Sequence, residues 1–357
     1  MSPGTRSPST RSPGTRAPAL LAGLGHYFPG APVPNSYFEQ LPQLGIDDAW
    51  IREHTGVGAR HWPDDGGERL ADMGAAAARM ALADAEIDVG SVDVLIGTSA
   101  TARPRVNPTA HGNNYMDLSL PVQRLLGLQR VVCFDVTAVA CAGFLYASQV
   151  ARSLLWSMDL ETALVVCAEN PKPILDFRYR NSALFGAGAA AAVWRRTDGP
   201  GSVADTVLRA DPEHYGAFDI DERDKMVMRG KKIGQVGPGY LRDAALSVLA
   251  RGGTGADQVG WLLPHQGNLT MIRQVGGELG VPDERILVNL DRRGNTSSAG
   301  MPSCLSEHVH AGVVRPGDSI LGVGIGRGFS WGAMLFTYKA PYPLSARTVE
   351  TAHGAAR

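Results

Sequence analysis

Short β-branched runs alternate with longer helical stretches along this chain, and the order of these elements occurs twice. A helical pattern over Ala71 to Ala85 is followed, after the linker Asp88 to Asp93, by the strand pattern Val94-Leu95-Ile96-Gly97-Thr98. Much later, a helical pattern over Tyr240 to Arg251 and a linker over Gly252 to Gln258 lead into Val259-Gly260-Trp261-Leu262-Leu263. The run Val131 to Val136 reads as a buried strand and is echoed by Ile286 to Leu290. Ala163 to Cys167 is echoed by Ser319 to Val323, and Gly188 to Trp194 by Phe329 to Phe336. For the first three strand pairs the offset is about 155 to 165 residues, far beyond any solenoid period. Two copies of one α/β unit follow, not an array. Strands alternating with helices predict mixed sheets covered by helices. Residues 143–156 are apolar nearly all round, which predicts an interior helix with cover on every side. Helices sandwiched between two sheets would supply that cover.

Composition narrows the class. With 357 residues, 34 Lys plus Arg and 35 Asp plus Glu, nothing steers the chain to nucleic acid or to an anionic membrane. No apolar run reaches membrane-spanning length, and the N-terminus lacks the apolar centre of a signal peptide. The Pro/Ser/Gly/Arg tract of the first residues cannot bury a core. The expected organisation is a disordered tail over 1–18, a first half over 19–205, a second half over 206–345 and a flexible tail over 346–357. Four cysteines, none in a CxxC pair, argue against a disulfide framework or a zinc site and fit a reducing cytoplasm.

The candidate chemistry sits at the ends of the repeated strands. Cys141, in Ala140-Cys141-Ala142-Gly143, lies between the strand pattern 131–136 and the apolar helix. A thiol there faces the positive end of a helix dipole, which favours the nucleophilic thiolate; a packed core cysteine is the alternative. His265 follows the strand pattern 259–263, and Asn295, in Gly294-Asn295-Thr296-Ser297, follows 286–290. Each taken singly is a core histidine or a turn residue. The duplication brings all three loops to one seam, where pockets form. The run Gly322-Val323-Gly324-Ile325-Gly326-Arg327-Gly328 is followed by an apolar, β-prone segment and not by a helix. It predicts a hairpin whose backbone N–H groups could approach a ligand, and not a dinucleotide site.

At these residues the chain resembles the β-ketoacyl-acyl-carrier-protein synthase III family of the thiolase fold. The matching stretches are Trp50-Ile51 with Thr55-Gly56-Val57, Ala140 to Phe144, Pro264-His265-Gln266 with Asn268-Leu269, Gly294 to Ser297, and Gly328 to Gly332. Together they cover roughly residues 19–338. The resemblance implies two pseudo-symmetric α/β halves in a layered αβαβα sandwich. It implies that Cys141 takes an acyl group from a thioester, with the N–H groups of Cys141 and Gly328 as oxyanion hole. His265 and Asn295 would hold a malonyl thioester carbonyl while carbon dioxide leaves, and the resulting carbanion would attack acyl-Cys141. Trp50, Asn268 and Phe329 would contact substrate. The carrier would be acyl carrier protein or coenzyme A, with no metal or redox cofactor, and the assembly a homodimer. Starter-unit or polyketide-type synthesis is the implied setting.

Departures from the family pattern bear on substrate. His54 and Thr270 stand where the family often has arginines that hold the carrier arm, and neutral groups do not replace a guanidinium fork. Arg52 and Arg273 lie nearby in sequence as possible substitutes. Ala187 replaces the usual Asp, and Arg327 the middle Gly of the final triplet. The segment Arg103 to Leu120 is longer and more polar than expected, which points either to an altered acyl pocket or to a surface insertion. The competing function is transfer of the acyl group from Cys141 to a hydroxyl or amine without decarboxylation; an inactive partner subunit is a third. Retention of Asn295 favours condensation.

Overall fold

The computed structural model describes residues 17–64, 68–102 and 117–342. Two sheets form the frame. The first runs in the order Ala19–Tyr27, Gly188–Arg196, Thr162–Glu169, Val94–Thr98, Val132–Asp135. The second runs Val203–Ala210, Ser330–Thr337, Ser319–Gly326, Trp261–Pro264. In each sheet the first two pairings are antiparallel and the next is parallel. The strand pattern expected twice therefore folds twice with the same order and direction. The strand Val203–Ala210 straddles the division drawn at residue 205 and pairs wholly within the second sheet.

Helices make the other layers. Leu70–Asp84 packs on the outer face of the first sheet, and Gly230–Gly252 on the outer face of the second. Gly143–Ser157 and Gly300–His310 lie between the sheets and touch both. Phe144, Leu145, Ala147, Ala151, Met301 and Leu305 fill this middle layer together with Val165, Ile320 and Phe336 from the sheets. The cover expected on every side of Gly143–Ser157 is incomplete: Phe144, Leu145, Ala147, Ala151 and Leu155 are buried, while Gln149 is half-buried and Ser153 and Ser157 are exposed, so the helix keeps one polar edge at solvent.

Three further expectations are corrected. The segment 286–290 is not a strand: Ile286 makes one bridge to Leu262, and Leu290–Arg293 is a helical turn. The reason is the Gln266 side chain, whose Oε1 accepts from the N–H groups of Asn289 (3.1 Å) and Leu290 (3.3 Å) in place of a ladder. Strand Val132–Asp135 is half-buried, not buried, because it is the edge of its sheet. The helix expected over 240–251 begins ten residues earlier, at Gly230, through Gly234, Gly237 and Pro238. Burial of Ile233, Gly237, Pro238 and Leu241 overrides the local preference of glycine and proline to end a helix. The polar insertion falls largely on 103–116, and the two tails on 1–16 and 343–357, outside the described residues. Among the described residues no helix is long and apolar enough to cross a membrane.

Candidate active site

Cys141 occupies a short 3-10 turn, Ala140–Ala142, that feeds directly into the helix Gly143–Ser157. The turn is sharp: Ala138 and Ala140 both adopt left-handed backbone, with φ of 66° and 44°. The strand Ser319–Gly326 runs beneath it. A Cβ on Gly326 would lie 2.0 Å from the Val139 carbonyl oxygen and 2.9 Å from the Cys141 nitrogen. Only a residue without a side chain lets this strand approach the nucleophile's backbone so closely. Of the alternating glycines of 322–328 it is Gly326 that serves the Cys141 turn, and the hairpin expected there is present between Ser319–Gly326 and Ser330–Thr337. Gly328, at its tip, has a φ of 127°, a conformation open to glycine and costly for other residues.

His265 follows the strand Trp261–Pro264, and its N–H donates to the Val323 carbonyl at 2.7 Å. The imidazole lies against Gly267, where a Cβ would stand 2.3 Å from Nε2. Asn295 joins the halves: its N–H donates to the Leu184 carbonyl (2.8 Å), and its carbonyl accepts from Gly186 N–H (3.0 Å). Its side-chain Oδ1 accepts from Ser297 N–H at 2.8 Å, which turns the Nδ2 group into the outward donor. The Cys141 thiol lies 3.5 Å from Ser297 Oγ. Cys141 and Asn295 are thereby linked through one serine. His265 is linked to this region through Val323, whose strand Ser319–Gly326 runs beneath the Cys141 turn, while its neighbour Gln266 braces the loop by donating from Nε2 to the carbonyls of Pro264 (2.8 Å) and Leu287 (3.1 Å). All three candidates are nearly enclosed, with 5–7% of each residue exposed.

Electrostatics correct one expectation. Burial pushes the Cys141 thiol up to about 12, with the Glu169 carboxylate adding to the rise and the Ser297 hydroxyl opposing it. The resting group is a thiol, because the dipole of one helix contributes at most about 2 kcal/mol, less than the roughly 4 kcal/mol implied by a rise of this size. Burial also pushes His265 down to about 4, so the ring is neutral near pH 7. Its buried Nδ1 meets no hydrogen-bond partner among the described residues. A neutral imidazole and a carboxamide offer N–H donors without a fixed positive charge.

The outer residues are placed differently. Trp50, half-exposed, stacks on His54 with ring centroids 4.2 Å apart, and the Arg180 guanidinium lies 5.2 Å from its ring centre. Arg180 is held there by donation from Nε to the Leu44 carbonyl (2.9 Å). Nothing in the sequence pattern pointed to Arg180. Arg52 and Arg273 are engaged elsewhere, in ion pairs with Asp48 (2.8 Å) and Asp283 (3.4 Å). Asn268 caps the helix Leu269–Leu279 by accepting from Thr270 N–H and donates to the His54 carbonyl, both at 2.8 Å. Its carboxamide thus ties the Trp50 helix to the second half. Phe329 is fully buried, edge-on to His214 and Tyr240, and supports the glycine turn from behind.

Two mixed sheets of matching topology around a central helical layer, with the cysteine at the head of a middle helix, define a thiolase-like condensing-enzyme fold. Family profiles for 3-oxoacyl-[acyl-carrier-protein (ACP)] synthase III match residues 134–212, and for its C-terminal part residues 249–338. The β-ketoacyl-[acyl-carrier-protein] synthase III of Roseobacter denitrificans is 35% identical over 90% of this chain and 99% of that protein. The 3-oxoacyl-[acyl-carrier-protein] synthase III of Aquifex aeolicus superposes with a TM-score of 0.82 at 29% identity, covering 90% of this chain and all of that one. The priming β-ketosynthase of the R1128 polyketide pathway gives 0.82 at 28% identity, covering 94% and 100%. The chain belongs to the β-ketoacyl-acyl-carrier-protein synthase III family.

Proposed function

We propose that this protein loads an acyl group from a thioester onto Cys141 and condenses it, with decarboxylation, with a malonyl thioester to give a β-ketoacyl thioester. The observation that carries this reading is the joining of Cys141 to Asn295 through Ser297, with a neutral His265 bonded to the strand Ser319–Gly326 that also runs beneath the Cys141 turn. In the first step the Cys141 sulfur attacks the acyl carbonyl, the bond to the carrier sulfur breaks, and the Cys141 proton passes to that sulfur so that the carrier leaves as a thiol. The backbone N–H groups of Cys141 and Gly328 are the donors assigned to the tetrahedral oxyanion. In the second step the malonyl carboxylate leaves as carbon dioxide, and the electron pair of the broken bond becomes an enolate. His265 and the Asn295 Nδ2 donate to its oxygen. The enolate carbon then attacks acyl-Cys141, and the Cys141 sulfur is the leaving group.

The two oxygen-centred charges that develop, on the tetrahedral intermediate and on the enolate, are both assigned to N–H donors, so the proposed chemistry calls for no metal or redox cofactor beyond the carrier thioester. Trp50 with Arg180 is the surface assigned to the carrier arm, in place of the arginines missing at His54 and Thr270. A homodimer is supported by the edge strand Val132–Asp135, whose outer side no described strand pairs and whose Val132 and Phe134 are only half-buried. Unpaired edges of this kind are otherwise aggregation sites. The four unpaired cysteines suit a reducing cytoplasm. Incubation with an acyl thioester and carboxyl-labelled malonyl thioester tests the function. Released label and a β-ketoacyl product are expected, and Cys141→Ala should abolish both acylation and product. Acyl transfer to a hydroxyl or amine with no label released would overturn the condensation.

A further inference from the structure

Glu169 ends the central strand Thr162–Glu169 and has no exposed surface. A carboxyl so placed needs partners, and five donors surround it. From the first half come Ala100 N–H (3.0 and 3.1 Å to the two oxygens), Ser99 Oγ (3.3 Å) and Thr101 Oγ1 (2.8 Å). From the second half come Ser298 N–H (3.2 Å) and Ser298 Oγ (2.6 Å), both to Oε1. Ser298 lies in the short turn Ser297–Ala299, beside the serine that meets the Cys141 thiol and whose N–H orients Asn295. Ser297 itself is held in left-handed backbone, φ 49°. Ser298 Oγ also reaches the Thr98 carbonyl at 3.3 Å. Gly143, first residue of the nucleophile helix, rests on the same pair: a Cβ there would stand 2.3 Å from Thr98 Oγ1 and 3.2 Å from Ser298 Cβ. One buried carboxyl group therefore clamps the asparagine-bearing turn of one half onto the 99–101 loop of the other, and the first residue of the cysteine-bearing helix packs against Thr98 and Ser298 at that clamp.

We propose that Glu169 is a positioning residue that sets Asn295 in register with Cys141 across the seam, and so governs decarboxylative condensation more than acyl loading. This rests on the roles given above to Cys141 and Asn295. The asymmetry follows from the contacts. The Cys141 turn is also held by the strand ending at Gly326, so loading does not depend on Glu169 alone. The Asn295 backbone is fixed by Leu184 and Gly186, so Glu169 acts on the Ser297–Ala299 turn that orients the Asn295 side chain, and that turn has no other buried charged partner among its described hydrogen bonds. Burial pushes the Glu169 carboxyl up while its Ser298, Ala100 and Thr101 donors oppose the rise, and in its ionised form it disfavours the Cys141 thiolate.

Two variants separate these effects. Glu169→Gln keeps the shape and removes the charge; Ser298→Ala removes the shorter, hydroxyl arm of the clamp and leaves the backbone N–H bond and the charge. Acyl loading is followed by intact-protein mass, decarboxylation by label release, and thiol reactivity by iodoacetamide alkylation against pH. Misplacing a reacting group by about 1 Å costs on the order of a hundredfold. Both variants should therefore condense roughly 10- to 100-fold more slowly while loading stays within about threefold of wild type. Glu169→Gln alone should move the alkylation profile to lower pH, an effect that a loosened fold does not produce selectively. Wild-type condensation in both variants, or equal losses in loading and condensation, would overturn the proposal. A wild-type protein that takes no acyl group on Cys141 would instead overturn the assignment of the nucleophile.

Discussion

Replacing Gly326 by alanine tests how the nucleophile is held. The added Cβ would lie 2.0 Å from the Val139 carbonyl oxygen and 2.9 Å from the Cys141 nitrogen, both backbone atoms without a rotamer to yield. Relief to an ordinary contact needs a separation of at least 3.0 Å, so the turn must retreat by about 1 Å. Overpacking of this kind costs about 1–3 kcal/mol of stability. The larger effect is on chemistry, because displacing the nucleophile and its oxyanion N–H by about 1 Å costs on the order of a hundredfold. Gly324→Ala is the control. Its Cβ would meet Met301 Sδ at 3.0 Å and Leu145 Cδ1 at 3.4 Å, side chains that can move, and the Cys141 carbonyl only at 3.7 Å. Single-turnover acylation, read by intact mass with an acyl thioester in excess, should therefore fall about a hundredfold in Gly326→Ala and at most several-fold in Gly324→Ala. Equal rates in the two variants would refute the claim that this strand sets the Cys141 turn.

His265 links stability to acid. Its folded value near 4 lies below the unfolded 6.5, so the unfolded chain takes up the proton first as pH falls. Stability present above pH 6.5 should be lost progressively down to about pH 4, by roughly 3 kcal/mol. Urea unfolding of wild type and His265→Gln at pH 7 and pH 4.5 checks this, since the variant should lack that part of the loss. Gln266→Leu leaves the carbonyls of Pro264 and Leu287 and the N–H groups of Asn289 and Leu290 without their partner. At least about 2 kcal/mol should disappear in a denaturant titration, and an unchanged midpoint would contradict the role given to this side chain. Phe134→Asp puts a charge on the open edge strand; sedimentation velocity should show a dimer for wild type and a monomer for the variant.

Much of the frame was legible because strand and helix periods are local. The strand Val94–Thr98 lies where its pattern placed it, and Leu70–Asp84 and Gly143–Ser157 depart from theirs by about one residue. The repeated order of elements correctly indicated two sheets of one topology. The loops of Cys141 and His265 stood out since each follows a strand of that order; Asn295 was expected after a strand and follows the helical turn Leu290–Arg293 instead. Less visible were groups that act through distant partners. Gln266 is adjacent to His265, yet its work is done on Asn289 and Leu290. Arg180 is far in sequence from Trp50. Glu169 ends an apolar strand and carries no local pattern of its own.

By itself the sequence determined most of the strands and buried helices, and it singled out Cys141, His265 and Asn295 as candidates in the loops beyond them. Side-chain period and glycine placement act over a few residues and do not depend on partners. Tertiary structure alone decided the protonation of those residues: enclosure by both halves leaves Cys141 a thiol and His265 neutral, against the pull of one helix dipole. It also decided that 286–290 would bend away from the sheet and that Glu169 would face Ser298. Desolvation and hydrogen bonding depend on which surfaces meet, and here the meeting surfaces come from opposite halves of the chain.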